Sequence, residues 1–403
     1  MAAYFTDIHC HLFNIEDIPF HATLRRKVRP SDTLKLFVAS LGLGNVDKYR
    51  NFILFFEQPV QANLSAFLDD LRNTLPGQKL LLIPLVMDFF DLNPATKPVA
   101  VQMSHLREGI AKCNSLLGND RVLPFLGYDL RHFRTGSFED FKRLWEEVGG
   151  ITAIERRKSP ESLKNGDVIG IKFYPPIGFN PDPSKERNAE ARKRYQEFYR
   201  WCTDFQIPIT VHCQYPSYSM HSSERVRYHT HPLNWEKVLK RQGLEKLRIN
   251  FAHAGGWHDL AAWQHTGKKL SADIESRKPE YATGTWAPII VSLLKTYPNT
   301  YADLSAFNFA STGACKALKK LLERDEQGKF GSGHFLRKKL LWGSDVPMII
   351  SEKVYNQNGK ASYRYLYERF IRTISACAID KPEEAIRDMT ENNPAAFIFP
   401  EQV

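Results

Sequence analysis

Short, almost wholly apolar runs recur along the chain, separated by longer stretches in which apolar residues return every three or four positions. The runs span 4–9, 80–87, 122–128, 168–173, 208–212, 248–253, 300–304 and 339–343, and helical spacing fills 138–148, 189–205, 235–242, 286–296 and 316–323. A strand that is apolar on both faces is covered on both faces, the condition of a strand in a parallel sheet wrapped by helices. Strands alternating with helices predict βαβ units, and eight of them predict an α/β fold closed as a (β/α)8 barrel. Such a barrel needs about 250 residues, which leaves roughly 150 for insertions. These are expected at about 13–78, 130–166 and 214–234, each after a strand and so over the C-terminal mouth, with 1–403 forming a single barrel domain.

Polar residues fall where the apolar runs end. Asp7-Ile8-His9-Cys10-His11 closes the first run. With a side-chain period of two, His9 and His11 share a face, so two imidazoles can grip one divalent cation. Asp7 is expected on that face one layer deeper, either orienting a ligand imidazole or serving as an ordinary strand-start acid. Three later runs end in His212, His253 and Asp345. A single histidine closing a strand is more simply packed than metal-bound. Three histidine-bearing strand ends and an aspartate on one rim point instead to a borderline cation such as zinc, which takes neutral imidazoles and a carboxylate. Lys172 sits inside the fourth run, where an ammonium costs free energy unless it is paired or neutralised. It can hold a substrate carboxylate, snorkel to the rim, or be carboxylated to a carbamate that bridges two metals.

Composition narrows the function classes. The longest uninterrupted apolar run, 80–87, contains Pro84 and is far short of the ~20 residues of a membrane span. The N-terminus lacks a basic region before Asp7, so no signal peptide is expected. Six scattered cysteines without a C-x-x-C argue against a disulfide framework and for a reducing, cytoplasmic setting. The net charge of +10 lies in clusters such as Arg25-Arg26-Lys27, Arg156-Arg157-Lys158, 185–194 and 316–339, mostly interleaved with acids, which reads as solvated helix faces. No zinc-finger, RNP or helix-turn-helix signature accompanies it, so neither a nucleic acid nor a membrane is an expected partner. Oligomeric state stays open, a homo-oligomer included.

The chain resembles the amidohydrolase superfamily, within it the amidohydrolase-related (family 2) branch. The resemblance rests on Asp7-Ile8-His9-Cys10-His11, Gly170-Ile171-Lys172-Phe173-Tyr174-Pro175-Pro176, Val211-His212-Cys213, Ala252-His253-Ala254-Gly255-Gly256, Tyr301-Ala302-Asp303-Leu304-Ser305, Trp342-Gly343-Ser344-Asp345 and Glu391-Asn392-Asn393-Pro394-Ala395-Ala396-Phe397. It implies a (β/α)8 barrel with metal at its C-terminal rim. His9, His11, His212 and Asp345 match the metal ligands of mononuclear members. His253 matches their catalytic histidine, or a second-metal ligand of binuclear members. Lys172 stands where binuclear members carry a carboxylated lysine, so one ion or two are implied, two if Lys172 is carboxylated.

The expected activity is hydrolysis of a C–N or C–O bond in a small acidic, amide or lactone-type substrate. A cation lowers the pKa of bound water toward ~7, Asp345 shuttles its proton, and His253 stabilises the developing oxyanion. Arg131, with Arg225 and Arg227, supplies guanidinium groups suited to a carboxylate, and Tyr174, Tyr215, Tyr218, His221, His229 and His231 are further pocket candidates. The rivals are a metal-dependent non-oxidative decarboxylase of an unsaturated or aromatic acid, and a non-catalytic basic binding protein on a degenerate barrel.

Overall fold

Every predicted apolar run contains a strand. The computed structural model describes residues 3–12, 58–89, 98–215, 217, 222–266, 285–307, 309, 311–331, 335–347 and 363–400. The strands are β1 Tyr4–Cys10, β2 Lys79–Pro84, β3 Arg121–Val122, β4 Phe125–Gly127, β5 Gly170–Phe173, β6 Ile209–His212, β7 Ile249–Ala252, β8 Thr300–Asp303 and β9 Leu340–Leu341. β3 and β4 are halves of one predicted run, parted at Pro124, which has no N–H to give to a ladder.

All the ladders are parallel and run in chain order, β1–β2–β3 and β4 to β9. Two seams join them. At one, Leu85 pairs with Phe125, and the Val86 amide donates to the Phe125 carbonyl at 3.2 Å. At the other, Cys10 pairs with Val346, the Ile8 amide donates to Trp342 O at 3.2 Å, and the His11 amide donates to Val346 O at 2.7 Å. First and last strands thus meet, and the sheet closes as a (β/α)8 barrel.

Among the described residues the α-helices of seven or more residues are α1 Val60–Thr74, α2 Val99–Lys112, α3 Phe138–Glu147, α4 Ala189–Asp204, α5 Ser223–Thr230, α6 Leu233–Leu239, α7 Trp257–Thr266, α8 Trp286–Thr296, α9 Thr312–Glu326 and α10 Tyr363–Ser375. Of the three expected insertions, 130–166 carries α3 and short 3-10 turns and 214–234 carries α5, while 13–57, Arg25-Arg26-Lys27 among them, lies outside the described residues, as do Tyr218 and His221. Local chemistry sets the helix starts. Ser137 and Asp140 form a reciprocal capping box at α3, and Asn188 and Ser311 cap α4 and α9. The apolar face of α3, Phe141 and Trp145, packs edge-on to Phe198 and Trp201 of α4. No helix among the described residues is long and apolar enough to cross a membrane.

The barrel interior is divided. Ile8, Leu81, Ile83, Leu85, Leu123, Phe125, Ile169, Tyr301 and Leu341 form one apolar cluster, plugged by Phe397 and Ile398 of the C-terminal helix Asn393–Ile398. Lys172, Thr210, Asn250 and Asp303 bring polar groups into the β5–β8 side.

Two expectations fail here. The basic run at 156–158 is not wholly solvated: Arg157 is fully buried, and its guanidinium donates to the carbonyls of Phe205 and Gln206 at the C-terminal end of α4. Such placement satisfies carbonyls that a helix end leaves unpaired and complements its dipole. Asp7 does not share the face of His9. The β1–β2 register shifts between Asp7 and Cys10, and such a bulge breaks the strict alternation of sides. Phe5 faces Tyr363 and Tyr367 of α10 while Ile8 enters the inner cluster, so Asp7 lies with Phe5 on the helix side.

Candidate metal centre

The C-terminal rim gathers the histidine-bearing strand ends. His9 and His11 leave β1, His253 follows β7, and Asp345 follows β9. His9, His253 and Asp345 each offer a ligand atom within 4.8 Å of the others, and all three are buried. Asp345 Oδ1 lies 3.4 Å from His9 Nε2 and 3.3 Å from His11 Nε2. The opposite ring nitrogens are held by acceptors: His9 Nδ1 faces Asp303 Oδ2 at 3.1 Å, and His11 Nδ1 faces the Leu85 carbonyl at 2.9 Å. In a neutral imidazole the proton therefore sits on Nδ1, and Nε2 presents a lone pair. His9 Nε2 is buried with no hydrogen-bond partner. Lone pairs thus converge on a carboxylate oxygen, an arrangement that favours a cation.

Backbone geometry builds this convergence. Gly343 precedes the final turn because any side chain there would strike β1: a Cβ would lie 2.8 Å from His9 Cβ and 3.2 Å from Ser305 Cβ. Asp345 and His253 both take left-handed backbone conformations, φ +57° and +65°. Such conformations cost about 1–3 kcal/mol each and persist only where surroundings enforce them. The enforcers are visible: the Asp345 amide donates to His9 O at 2.7 Å, and the His253 amide to Asp303 Oδ1 at 2.9 Å.

Electrostatics favour the neutral imidazole at His9, His212 and His253. Burial, aided by the positive charge of Lys172, lowers the pKa of His9 to about 3. Burial likewise lowers His253, and it lowers His212 well below its ordinary value. Burial opposes ionisation of Asp345, but the adjacent His11, His9 and His253 outweigh it and keep the carboxyl below its usual range. Burial depresses Lys172 to about 8, partly offset by Asp303 and Asp345, and its Nζ has no hydrogen-bond partner.

His212 stands one step outside the cluster. Its Nδ1 meets His253 Nε2 at 3.0 Å, and its Nε2 meets the Ser217 hydroxyl at 2.7 Å. Tyr174 packs against His212, ring centroids 4.7 Å apart. Arg131 is not presented as a carboxylate receptor, because Asp129, two residues earlier, already binds its guanidinium through Nε at 3.0 Å and a terminal nitrogen at 2.7 Å. Arg227 instead lies 4.1 Å over the ring of Tyr215. Arg225 approaches His229, and buried His231 packs against Trp286 and accepts from the Leu233 amide.

The part expected of Asp7 belongs to Asp303. Asp7 Oδ1 receives the amides of Ser344 and His9, at 3.0 and 3.2 Å, and so shapes the turn before Asp345. Asp303 faces His9 Nδ1 and accepts from Asn250 Nδ2 at 2.6 Å. Burial alone would raise its pKa, but the histidines and the amide of His253 hold it far below the carboxylate range. The signal was present in the alternation Tyr301-Ala302-Asp303-Leu304-Ser305, which ends a strand in an acid just as Trp342-Gly343-Ser344-Asp345 does.

A family model described as amidohydrolase (Amidohydro_2) matches residues 143–399. No curated protein matches the chain. Among solved structures, 5-carboxyvanillate decarboxylase from Novosphingobium aromaticivorans, complexed with manganese and 4-hydroxy-3-methoxy-5-nitrobenzoic acid, aligns with a TM-score of 0.54 at 12% identity, over 98% of this chain and 96% of that one. A protein designated a probable 2-pyrone-4,6-dicarboxylic acid hydrolase from Acinetobacter baumannii, with citric acid bound, aligns at 0.46 and 13% identity over 99% of both chains. An amidohydrolase from Burkholderia ambifaria with bound zinc aligns at 0.39 and 11% identity over 98% of this chain and 89% of that one.

Proposed function

The chain belongs to the amidohydrolase family, and from that premise we propose that it is a cytoplasmic, metal-dependent hydrolase cleaving a C–N or C–O bond of a small acidic, amide or lactone substrate. One observation carries the reading: buried imidazole lone pairs and a carboxylate oxygen converge on one point, with His9 Nε2 left without a partner. This donor set suits a borderline divalent ion such as zinc. His9, His11 and Asp345 would hold it, with His212 if that ring leaves Ser217, and His253 would join them only around a second ion. A bound divalent ion would supply Lewis acidity and bring the ionisation of water near neutrality.

The chain's own groups do the rest. Asp345 takes the proton of the attacking water on its carboxylate and returns it to the leaving group. His253, whose Nε2 meets His212 Nδ1 at 3.0 Å, stabilises the developing oxyanion by a hydrogen bond and keeps its proton while the carbonyl re-forms. Arg227, stacked on Tyr215 in the turn whose Ser217 meets His212, receives a substrate carboxylate, with Tyr174 as a neighbouring wall. A carbamate on Lys172 would set a third anion beside Asp303 and Asp345. A second cation would offset it, so two ions accompany a carboxylated Lys172 and one ion a free lysine. The same histidine pair could instead protonate a carbanion left by decarboxylation, which is the second reading.

The test is metal-depleted protein assayed on a panel of lactones, cyclic amides and dicarboxylic acids, with carbon dioxide release measured in parallel. Turnover should vanish on depletion, return with zinc, and be absent in His9→Ala. Full turnover by rigorously metal-free protein would overturn the reading, and carbon dioxide release would select the second one. Arg227→Met should raise KM for the acidic substrate about 10- to 100-fold, the scale of one charged hydrogen bond, with kcat changed much less. A KM effect in Arg131→Met alone would refute this assignment.

A further inference from the structure

Ser305 lies just beyond β8, and its one hydroxyl touches three charged or titratable partners. The oxygen is 2.8 Å from His9 Nδ1 and 2.9 Å from His253 Nδ1, and it makes a short contact with Asp303 Oδ1. The residue is fully buried. A hydroxyl has one proton and two acceptor lone pairs. Asp303 Oδ1 already accepts the His253 and Ser305 amides, so toward the hydroxyl it acts as an acceptor and the Ser305 proton goes to it. Both lone pairs then face imidazole nitrogens, and each of those nitrogens must be a donor.

We propose that Ser305 is a positioning residue that sets two histidine tautomers at once, placing the proton of both His9 and His253 on Nδ1, so that His9 turns a bare Nε2 toward Asp345 and His253 Nε2 is left to accept from His212 Nδ1. The neighbouring acceptors agree. His9 Nδ1 also faces Asp303 Oδ2 at 3.1 Å, and His253 Nδ1 also faces the Ser305 carbonyl at 3.1 Å. The two rings lie with centroids 4.8 Å apart, so one hydroxyl can serve both. Asp303 anchors the device from the other side, fixing the His253 and Ser305 amides at 2.9 and 3.1 Å. Nothing else described contacts both Nδ1 atoms. Without the hydroxyl, His253 Nδ1 keeps only its carbonyl contact and is free to trade its proton with the His212 side.

The inference bears on the metal reading, but its first measurement does not depend on it. Protein labelled with 15N-histidine is examined by long-range nitrogen–proton correlation without metal, at a pH where the rings are neutral, with His9→Asn and His253→Asn spectra giving the assignments. His9 and His253 should both show the Nδ1–H pattern. In Ser305→Ala, His253 should become a tautomer mixture, and Ser305→Thr, which retains a hydroxyl, should restore the parent pattern. Unchanged ring signals in a folded Ser305→Ala would overturn the proposal. If the alanine variant does not fold, Ser305→Cys, which fills the volume with a poor hydrogen-bonding atom, takes its place under the same criterion. The second measurement is zinc affinity by competition with a chromophoric chelator. Ser305→Ala should bind about 10- to 100-fold more weakly, the usual effect of losing a partner behind a metal-binding histidine, and Ser305→Thr should recover most of it. Parent protein that binds no divalent ion would defeat the metal reading alone, with the tautomer result still standing for or against Ser305.

Discussion

Replacing Asp345 by asparagine should cost the metal-loaded protein far more stability than the metal-free one. His9 and His11 turn Nε2 toward Asp345 Oδ1 at 3.4 and 3.3 Å. The carboxylate is buried, and its histidine neighbours favour the charged form over the cost of burial. Asparagine keeps the shape and tolerates the left-handed backbone at φ +57°, but it loses the charge. A hydrogen bond to a charged group is worth about 1.5–3 kcal/mol, and each kcal/mol moves the midpoint of a large domain by about 2–4 °C. Calorimetry in excess chelator should therefore show the variant melting a few degrees below the parent. With zinc the gap should widen. A hundredfold loss of affinity removes a further ~2.7 kcal/mol of ligand stabilisation, and loss of the proposed base should cut turnover about 10²-fold or more. A variant that melts above the parent without metal, or gains as much from zinc as the parent does, would refute the argument.

Two further predictions concern buried charge. Lys172→Met in metal-free protein should gain about 3 kcal/mol near pH 7, the cost of holding an ammonium whose pKa falls from 10.5 to about 8. A lysine depressed on folding makes the parent gain stability as pH rises from about 8 to 10.5, so the advantage should fade across that window in urea titrations. Asp7, raised by burial to about 7 from 3.8, is the opposite case. Its folded form holds a proton the unfolded form has lost, so the parent loses stability as pH rises from about 4 to 7. Asp7→Asn, which retains the oxygen that accepts from Ser344 and His9, should flatten that decline.

The barrel and its rim were legible because a strand buried on both faces tolerates polar residues chiefly where it ends, so His9, His11, His212, His253 and Asp345 stood out against apolar runs. What escaped was geometry carried by the backbone. The register shift in β1 moved Asp7 to the helix side, and no residue type in Asp7-Ile8-His9 announces a bulge. Arg131 looked available because the turn that brings Asp129 onto its guanidinium is formed by tertiary packing. Arg157 sat in a basic run that reads as surface, yet it meets the end of α4, a partner with no charge to find in the sequence. Asp303 was visible within a motif, but its role depends on His9 from the other end of the chain.

The seam between β1 and the segment after β9 has a consequence for how this protein is made. His9 lies in the first strand and His11 just beyond it, and Asp345 lies in the turn that follows the last. A nascent chain leaving the ribosome can offer the two early imidazoles but no closing carboxylate, so it should be a poor scavenger of metal until the last strand of the barrel has been made. Once the last strand docks beside the first, an ion captured there acts as a clasp across the junction of the two ends of the fold. Its stabilisation should be concentrated at that junction, in slowed amide exchange at Ile8, His11 and Asp345, whose hydrogen bonds span it. Cofactor loading then doubles as a record that the ring has closed.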